Sequence, residues 1–248
     1  MKAMVLAAGL GTRLRPLTDD RPKALVEVAG RTLLEITLSR LRGFGIREVM
    51  INLHYFADMV VDYLKAHNNF GMRIEVSRED VLLDTGGGLK KAGQFFLEGP
   101  NPPEEPFLLH NVDVISTIDL RRMVQFHADN HALATLAVQD RKTSRYLLFD
   151  QQCRLCGRRA GRDGEIEMVR SASQTQALAF GGIHVISPRF IPLMTEEGIF
   201  SIITSYLRLA GQNQNILGFR TDEYYWRDLG RPDDLKQAAQ DLGQWGGF

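Results

Sequence analysis

The chain has 248 residues, of which 44% are hydrophobic and 24% charged, so wholesale disorder is excluded and a sizeable core is affordable. Lys plus Arg number 30 and Asp plus Glu 30, and this zero net charge offers no global field for a nucleic-acid polymer or an anionic membrane. No apolar run approaches the roughly 20 residues of a membrane span, the N-terminus does not read as a signal peptide, and only Cys153 and Cys156 are present; a cytoplasmic location without a disulfide scaffold is expected.

Lys2–Leu6 is a short apolar run that stops at Ala-Ala-Gly and reads as a buried strand. Residues 33–44 place Leu33, Leu34, Thr37, Leu38, Leu41 and Phe44 at spacings of three and four. That predicts a helix with one buried face, ended by Gly43 and Gly45. Glu48–Leu53 is the next strand, Ala57–Ala66 a helix and 73–76 a short strand. The proline-rich stretch 98–106 reads as an exposed loop. Residues 107–110 form an apolar strand ending at Asn111-Val112-Asp113, followed by a helix over 119–130 and a strand over 133–138. Strand and helix in alternation predict an α/β fold with a parallel sheet covered on both faces. Ligands of such sheets gather at the carboxyl ends of strands, here after Leu6, Leu53 and His110.

The second half changes character. Residues 146–149 and 153–158 read as a hairpin joined by Asp150-Gln151-Gln152, and Gly161-Arg162-Asp163-Gly164 as a turn. Gln176–Ile186 is a longer strand, 200–210 a helix, and 232–242 a helix with Pro at its start.

The first turn carries the strongest chemistry: Leu6-Ala7-Ala8-Gly9-Leu10-Gly11-Thr12-Arg13-Leu14-Arg15-Pro16-Leu17-Thr18, then Arg21-Pro22-Lys23. Small residues after a strand let backbone amides approach an anion, and Arg13, Arg15, Arg21 and Lys23 add cations. The segment is either a polyphosphate cradle or a glycine turn with a solvated basic loop. A dinucleotide fingerprint would need Gly where Leu14 stands, and a P-loop would need a Gly-Lys-Ser/Thr triplet that is missing.

This segment resembles the signature of the sugar-1-phosphate nucleotidyltransferases, G-x-G-T-R-[LM]-x-P-x-T followed by P-K, which stands complete from Gly9 to Thr18 with Pro22-Lys23. Further matches extend along nearly the whole chain and are weakest between about 146 and 176. The resemblance implies a three-layer α/β/α, Rossmann-like mixed sheet, mainly parallel. It also implies a single domain over 1–248, with a nucleotide-binding half over 1–140 and a sugar-phosphate-binding half over 141–248. Larger relatives add a left-handed β-helix, for which this sequence offers no repeats.

By the same resemblance, the substrates are a nucleoside triphosphate, with UTP favoured, and a sugar 1-phosphate. Arg13 would hold the departing β- and γ-phosphates, and Lys23 the α-phosphate and the incoming phosphate. Leu6, Ala7, Ala8, Gly9, Gly11 and Thr12 would line the nucleotide. Asp84-Thr85-Gly86-Gly87-Gly88 resembles the segment lying against the base, with Thr85, Gly86 and Gly87 as contacts; read alone it is a flexible loop between strand and helix. Asn111-Val112-Asp113 resembles the N-x-D segment, Val112 replacing the usual glycine, and Trp226-Arg227-Asp228-Leu229-Gly230 the W-x-D-[IVL]-G segment. Asp113 and Asp228 would hold Mg2+, which suits carboxylates plus substrate phosphates.

Gly182, in Phe180-Gly181-Gly182-Ile183-His184-Val185, would leave room for the sugar. The family's V-E-K-P segment is missing; candidates in its place are Lys142, Arg145, Arg158 and Arg159, and the basic stretch Asp140-Arg141-Lys142-Thr143-Ser144-Arg145 either holds the sugar phosphate through Lys142 and Arg145 or is a solvated hairpin edge. Guanylyl transfer to mannose- or heptose-1-phosphate, cytidylyl-type transfer to a phosphorylated alcohol, and a non-catalytic nucleotide-sugar sensor are the competing readings. A monomer and a homodimer both remain open. His127 and His131 read as helix-surface residues, Cys153 and Cys156 as free thiols, and His110 has no assigned role.

Overall fold

In the computed structural model the described residues are 1–98, 104–161 and 163–244. The first half runs β1 (Lys2–Leu6), a small hairpin of β2 (Glu27–Val28) and β3 (Arg31–Thr32), α1 (Leu33–Gly43), β4 (Glu48–Leu53), α2 (Ala57–Ala66), β5 (Arg73–Arg78), α3 (Asp84–Leu97), β6 (Phe107–Asn111), β7 (Val114–Ser116) and α4 (Leu120–Asp129). The second half continues with β8 (Ala134–Gln139), β9 (Arg145–Phe149), β10 (Leu155–Ala160), β11 (Ile166–Met168), β12 (Gln176–Ile186), α5 (Ile202–Gly211), β13 (Ile216–Arg220), β14 (Trp226–Asp228) and α6 (Pro232–Gln244).

The main sheet is mixed. β1 pairs in parallel with β4 and β6, and β4 with β5. The long β12 then runs antiparallel to β6, β8 and β9, and β13 joins β8 in parallel. Side-chain alternation along the strands splits the core in two. Ala3 and Val5 of β1 face one way with Val49 and Ile51 of β4, under α1, α2, α4 and α6. Met4, Met50 and Leu109 face the other way, under Phe95 and Phe96 of α3 and Tyr206 of α5. This is the expected three-layer arrangement.

Local chemistry sets the helix starts. Thr32 caps α1 by accepting from the Glu35 amide at 3.0 Å, and Asp119 caps α4 by accepting from the Arg121 and Arg122 amides. Ser201 does the same for α5.

Three sequence expectations change. Residues 84–88 are the first turns of α3, not a loop. β7 and β14, which no hydrophobic run announces, pair as a separate two-stranded ribbon. His127 is buried on α4, with Nδ1 2.9 Å from Thr135 Oγ1 and Nε2 2.9 Å from Ser187 Oγ, because its helix face packs on β8; only His131 is exposed. Within the predicted 98–106 loop, residues 99–103 lie outside the described residues, as does Arg162 of the predicted turn.

Candidate active site

The carboxyl end of β1 meets those of β4 and β6, and the first loop opens there. Leu6 accepts from the Val112 amide at 3.1 Å, which holds the β6 turn against the loop. Ala7 and Ala8 are buried, and the Ala7 amide donates to Asn52 Oδ1 at 2.9 Å. A Cβ on Gly9 would meet only open space, so that glycine leaves the loop's outer face clear. Gly11 has φ 66°, and a Cβ there would stand 2.9 Å from Thr18 Cγ2 and 3.2 Å from Lys23 Cβ. Positive φ and close approach together demand glycine. Thr12 begins a 3-10 turn over Thr12–Leu14 whose Leu14 is fully buried, which leaves Arg13 on the outside.

Lys23 opens a second short turn after Pro22 and is almost fully buried. Its ammonium contacts Asp113 Oδ2 directly. Asp113 sits in the turn between β6 and β7, and its carbonyl accepts from the Leu229 amide at 2.7 Å. The β7–β14 ribbon pairs Asp228 with Val114, so the two carboxylates become neighbours although 115 residues separate them in the chain. Burial, and next the charge of Asp113, push the Asp228 carboxyl above its ordinary value, against the pull of Lys23, the Gly230 amide and Arg13. Arg13 lies 3.9 Å from Asp228, with 57% and 41% of the two side chains exposed. A pair this exposed is worth little in stability, so Arg13 can exchange it for another anion.

Gly230 makes this crossing feasible, since a Cβ there would collide with both Arg13 Nη2 and Asp228 Oδ1. Two acidic oxygen donors in one field suit a hard divalent cation, which would relieve their repulsion and leave positions for phosphate oxygens and water.

Asn111 ends β6 with its Oδ1 buried and unbonded, and the neighbouring His110 has an unbonded Nε2. Gly182 (φ 73°) lies against Asn111: a Cβ there would stand 2.8 Å from Asn111 Nδ2 and 3.0 Å from Val114 Cγ2. β12 shifts register between Phe180 and His184, and that kink brings it onto the site.

At the start of α3 the glycines serve packing. The Gly86 and Gly87 amides both donate to the Phe200 carbonyl, at 2.9 and 3.2 Å, and Thr85 Oγ1 accepts from the Ile202 amide at 3.0 Å. A Cβ on Gly86 would overlap the Phe200 ring, and one on Gly88 would stand 2.8 Å from both Asn52 Nδ2 and Glu79 Oε1.

Asn52 and Glu79 carry no motif signal and are both buried. Asn52 Nδ2 donates to Glu79 Oε1 at 2.7 Å, and Glu79 Oε2 accepts from the Leu83 amide at 2.9 Å. The relay Ala7–Asn52–Glu79–Leu83 ties the first loop to the start of α3. Arg141 lies in the basic stretch 140–145, from which the sequence singles out Lys142 and Arg145 instead. It stacks on Trp226 at 3.7 Å, while Lys142 and Arg145 on either side of its turn are exposed. The two cysteines are free, with burial pushing both thiols up, as suits inert residues.

A glycine-rich first loop, Arg13 and Lys23 beside it, and the carboxylates of Asp113 and Asp228 thus meet at one edge of an α/β/α sheet. A family model described as nucleotidyl transferase matches residues 2–150. The chain belongs to the sugar-1-phosphate nucleotidyltransferase family, and it is an enzyme of the nucleotidyltransferase class. It is 35% identical over 246 residues to N-acetylmuramate alpha-1-phosphate uridylyltransferase of Caulobacter vibrioides, covering 96% of this chain and 95% of the relative. It is 29% identical to the protein of the same name from Neisseria meningitidis, covering 99% and 100%. The crystal structure of a putative glucose-1-phosphate thymidylyltransferase from Bacillus anthracis superposes with TM-score 0.78 at 19% identity, covering 100% of this chain and 97% of the other, and so shares the fold. Among the described residues no helix is long and apolar enough to cross a membrane.

Proposed function

We propose that the chain transfers the uridylyl group of UTP to a sugar 1-phosphate, first among them N-acetylmuramate 1-phosphate, with Mg2+ held by Asp113 and Asp228. The observation that carries this is the convergence of Lys23, Asp113, Asp228 and Arg13 beside an open glycine loop. The choice of base and sugar is supported by the names of the two relatives that match over nearly their whole length.

In the reaction a phosphate oxygen of the acceptor attacks the α-phosphorus. The α–β phosphoanhydride breaks and pyrophosphate leaves. Positioning and charge neutralisation do most of the work in such transfers. Lys23, fixed by burial and by Asp113, presents one ammonium where the α-phosphate and the incoming phosphate meet. Arg13 offers a mobile fork for the departing phosphates. A divalent cation between the carboxylates would neutralise charge on the triphosphate. Asn111 Oδ1, buried without a partner, waits for a donor such as a ribose hydroxyl.

The test is pyrophosphate release from each of the four ribonucleoside triphosphates against N-acetylmuramate, N-acetylglucosamine, glucose and mannose 1-phosphates, with and without Mg2+. Release should be greatest with UTP and vanish under chelator. Preference for GTP with mannose 1-phosphate would replace the uridylyl reading, and no release with any pair would remove the enzymatic one.

A further inference from the structure

A polar cavity of about 260 Å³ is lined by Asp140, Arg141, Lys142, Tyr146, Arg159 and Ala177. Its cations differ from their neighbours. Arg154, Arg158 and Arg220, on the strands around it, each pair with a carboxylate, namely Asp150, Glu167 and Asp222. Among the described residues, Arg141, Lys142 and Arg159 form no ion pair, and Asp140 is the one acidic side chain in the lining.

The two arginines are held in place. The Arg141 guanidinium lies 3.7 Å over the Trp226 ring, donates through Nη2 to the Phe180 carbonyl at 2.8 Å, and keeps its buried Nε without a partner. Arg159 stands opposite Tyr146 across the β9–β10 pair, 5.2 Å over its ring, with Nε on the Gly161 carbonyl at 3.2 Å. Burial pulls the Arg141 guanidinium down from its ordinary value despite the charge of Asp228, so an arriving anion would be favoured beside it.

The cavity borders the reaction site through the β12 kink. Trp226 Nε1 donates to the Gly181 carbonyl at 2.7 Å, and the next residue, Gly182, abuts Asn111 and Val114. Trp226 is two residues from Asp228, whose charge reaches Arg141. An acceptor with its 1-phosphate at Lys23 would therefore extend its sugar over the glycines toward these cations. On the reading in which Lys23 meets the phosphate, hydroxyls of a neutral sugar do not call for three further cations, of which Asp140 balances one.

We propose that this cavity binds a second anion carried by the acceptor, a carboxylate on the sugar ring, with Arg141, Lys142 and Arg159 as its ligands. This rests on the acceptor being a sugar 1-phosphate and adds how one is chosen. A planar carboxylate matches the guanidinium fork, and the enzyme separates acidic from neutral sugar phosphates by leaving these cations unpaired with the neutral ones.

The experiment compares kcat/KM for N-acetylmuramate 1-phosphate, which bears a lactyl carboxylate, with N-acetylglucosamine 1-phosphate, which lacks it, at saturating UTP. The wild type should prefer the acidic acceptor by at least about ten-fold, and R159Q should collapse that ratio by about ten-fold, as loss of one charge-assisted bond predicts. K142Q, at an exposed position, should narrow it less, and keeps the test available if R159Q fails to fold. Equal losses on both acceptors would assign the cations to the shared phosphate and overturn the proposal, as would a wild type indifferent to the carboxylate. If no triphosphate supports turnover, the functional reading fails separately. Calorimetric titration of the same two sugar phosphates into wild type and R159Q then decides the cavity: tighter binding of the acidic one, lost in R159Q, upholds it, and equal binding refutes it.

Discussion

Replacing Asn52 by Leu tests whether the first loop depends on a buried relay. The side chain is 3% exposed and makes two bonds, accepting from the Ala7 amide at 2.9 Å and donating to Glu79 Oε1 at 2.7 Å. Leu has a similar volume, so the change removes hydrogen bonds with little cavity. It leaves a buried amide and one oxygen of a buried carboxylate without partners. Each unsatisfied group costs about 1–3 kcal/mol, giving about 2–6 kcal/mol for the two. For a chain of this size each kcal/mol moves Tm by about 2–4 °C, so a fall of about 4–24 °C is expected. In urea the midpoint should drop with an unchanged slope. The triphosphate KM should also rise, because the path of Ala7-Ala8-Gly9 is no longer pinned. Gly88→Ala attacks the same pair from α3, where its Cβ would stand 2.8 Å from both partners, and should act in the same direction. A stability change for Asn52→Leu within about 0.5 kcal/mol, the range of an ordinary surface substitution, would refute the relay.

Asp113→Asn should reduce kcat by at least about 100-fold while circular dichroism stays native, since it removes charge from the site and not volume from the core; a near-normal rate would dismiss the carboxylate. Gly230→Ala should leave Tm nearly unchanged, because the atoms it displaces are the far ends of the Arg13 and Asp228 side chains, yet lower kcat/KM by about 10- to 100-fold through a misplaced Arg13; full activity would show that Arg13 works from elsewhere. Acid should destabilise the fold well before carboxylates protonate. Burial, with Arg40 beside His110, Arg189 beside His127 and His110 beside His184, pushes His110 and His127 down to about 4 and His184 to about 3 from an ordinary 6.5. The unfolded chain thus binds protons that the folded one refuses. Stability present above pH 6.5 is lost on the way down toward pH 4, with a slope of up to about 4 kcal/mol per pH unit near pH 5. Calorimetry giving the same Tm at pH 7 and pH 5 would contradict that.

Much of the site is legible along the chain because its parts are local. The loop from Leu6 to Lys23 puts small residues, cations and a strand end within two dozen residues, and the need for small residues shows directly in composition. Apolar periodicity located α1 and α2, since burial of one helix face is written at intervals of three to four, and continuous apolar runs located β1, β4 and β6, whose two faces are both covered. Gly86 to Gly88 mislead for the same reason: local reading credits glycine with flexibility, whereas here the absent side chains make way for Phe200, Asn52 and Glu79, which are distant in sequence.

Patterning along the chain marks where the strands end and which loop gathers small residues and cations, while Asp113 and Asp228 stand out only through the family resemblance. Folding is what pairs β7 with β14 and sets Asp228 beside Asp113, brings Asn52 to Ala7, turns His127 inward and lays Arg141 on Trp226. Each of these is a contact between segments far apart in the chain. Hydrophobic patterning states that a residue is buried, while strand order and register state against what, and the chemistry of this site is made of the second kind of fact.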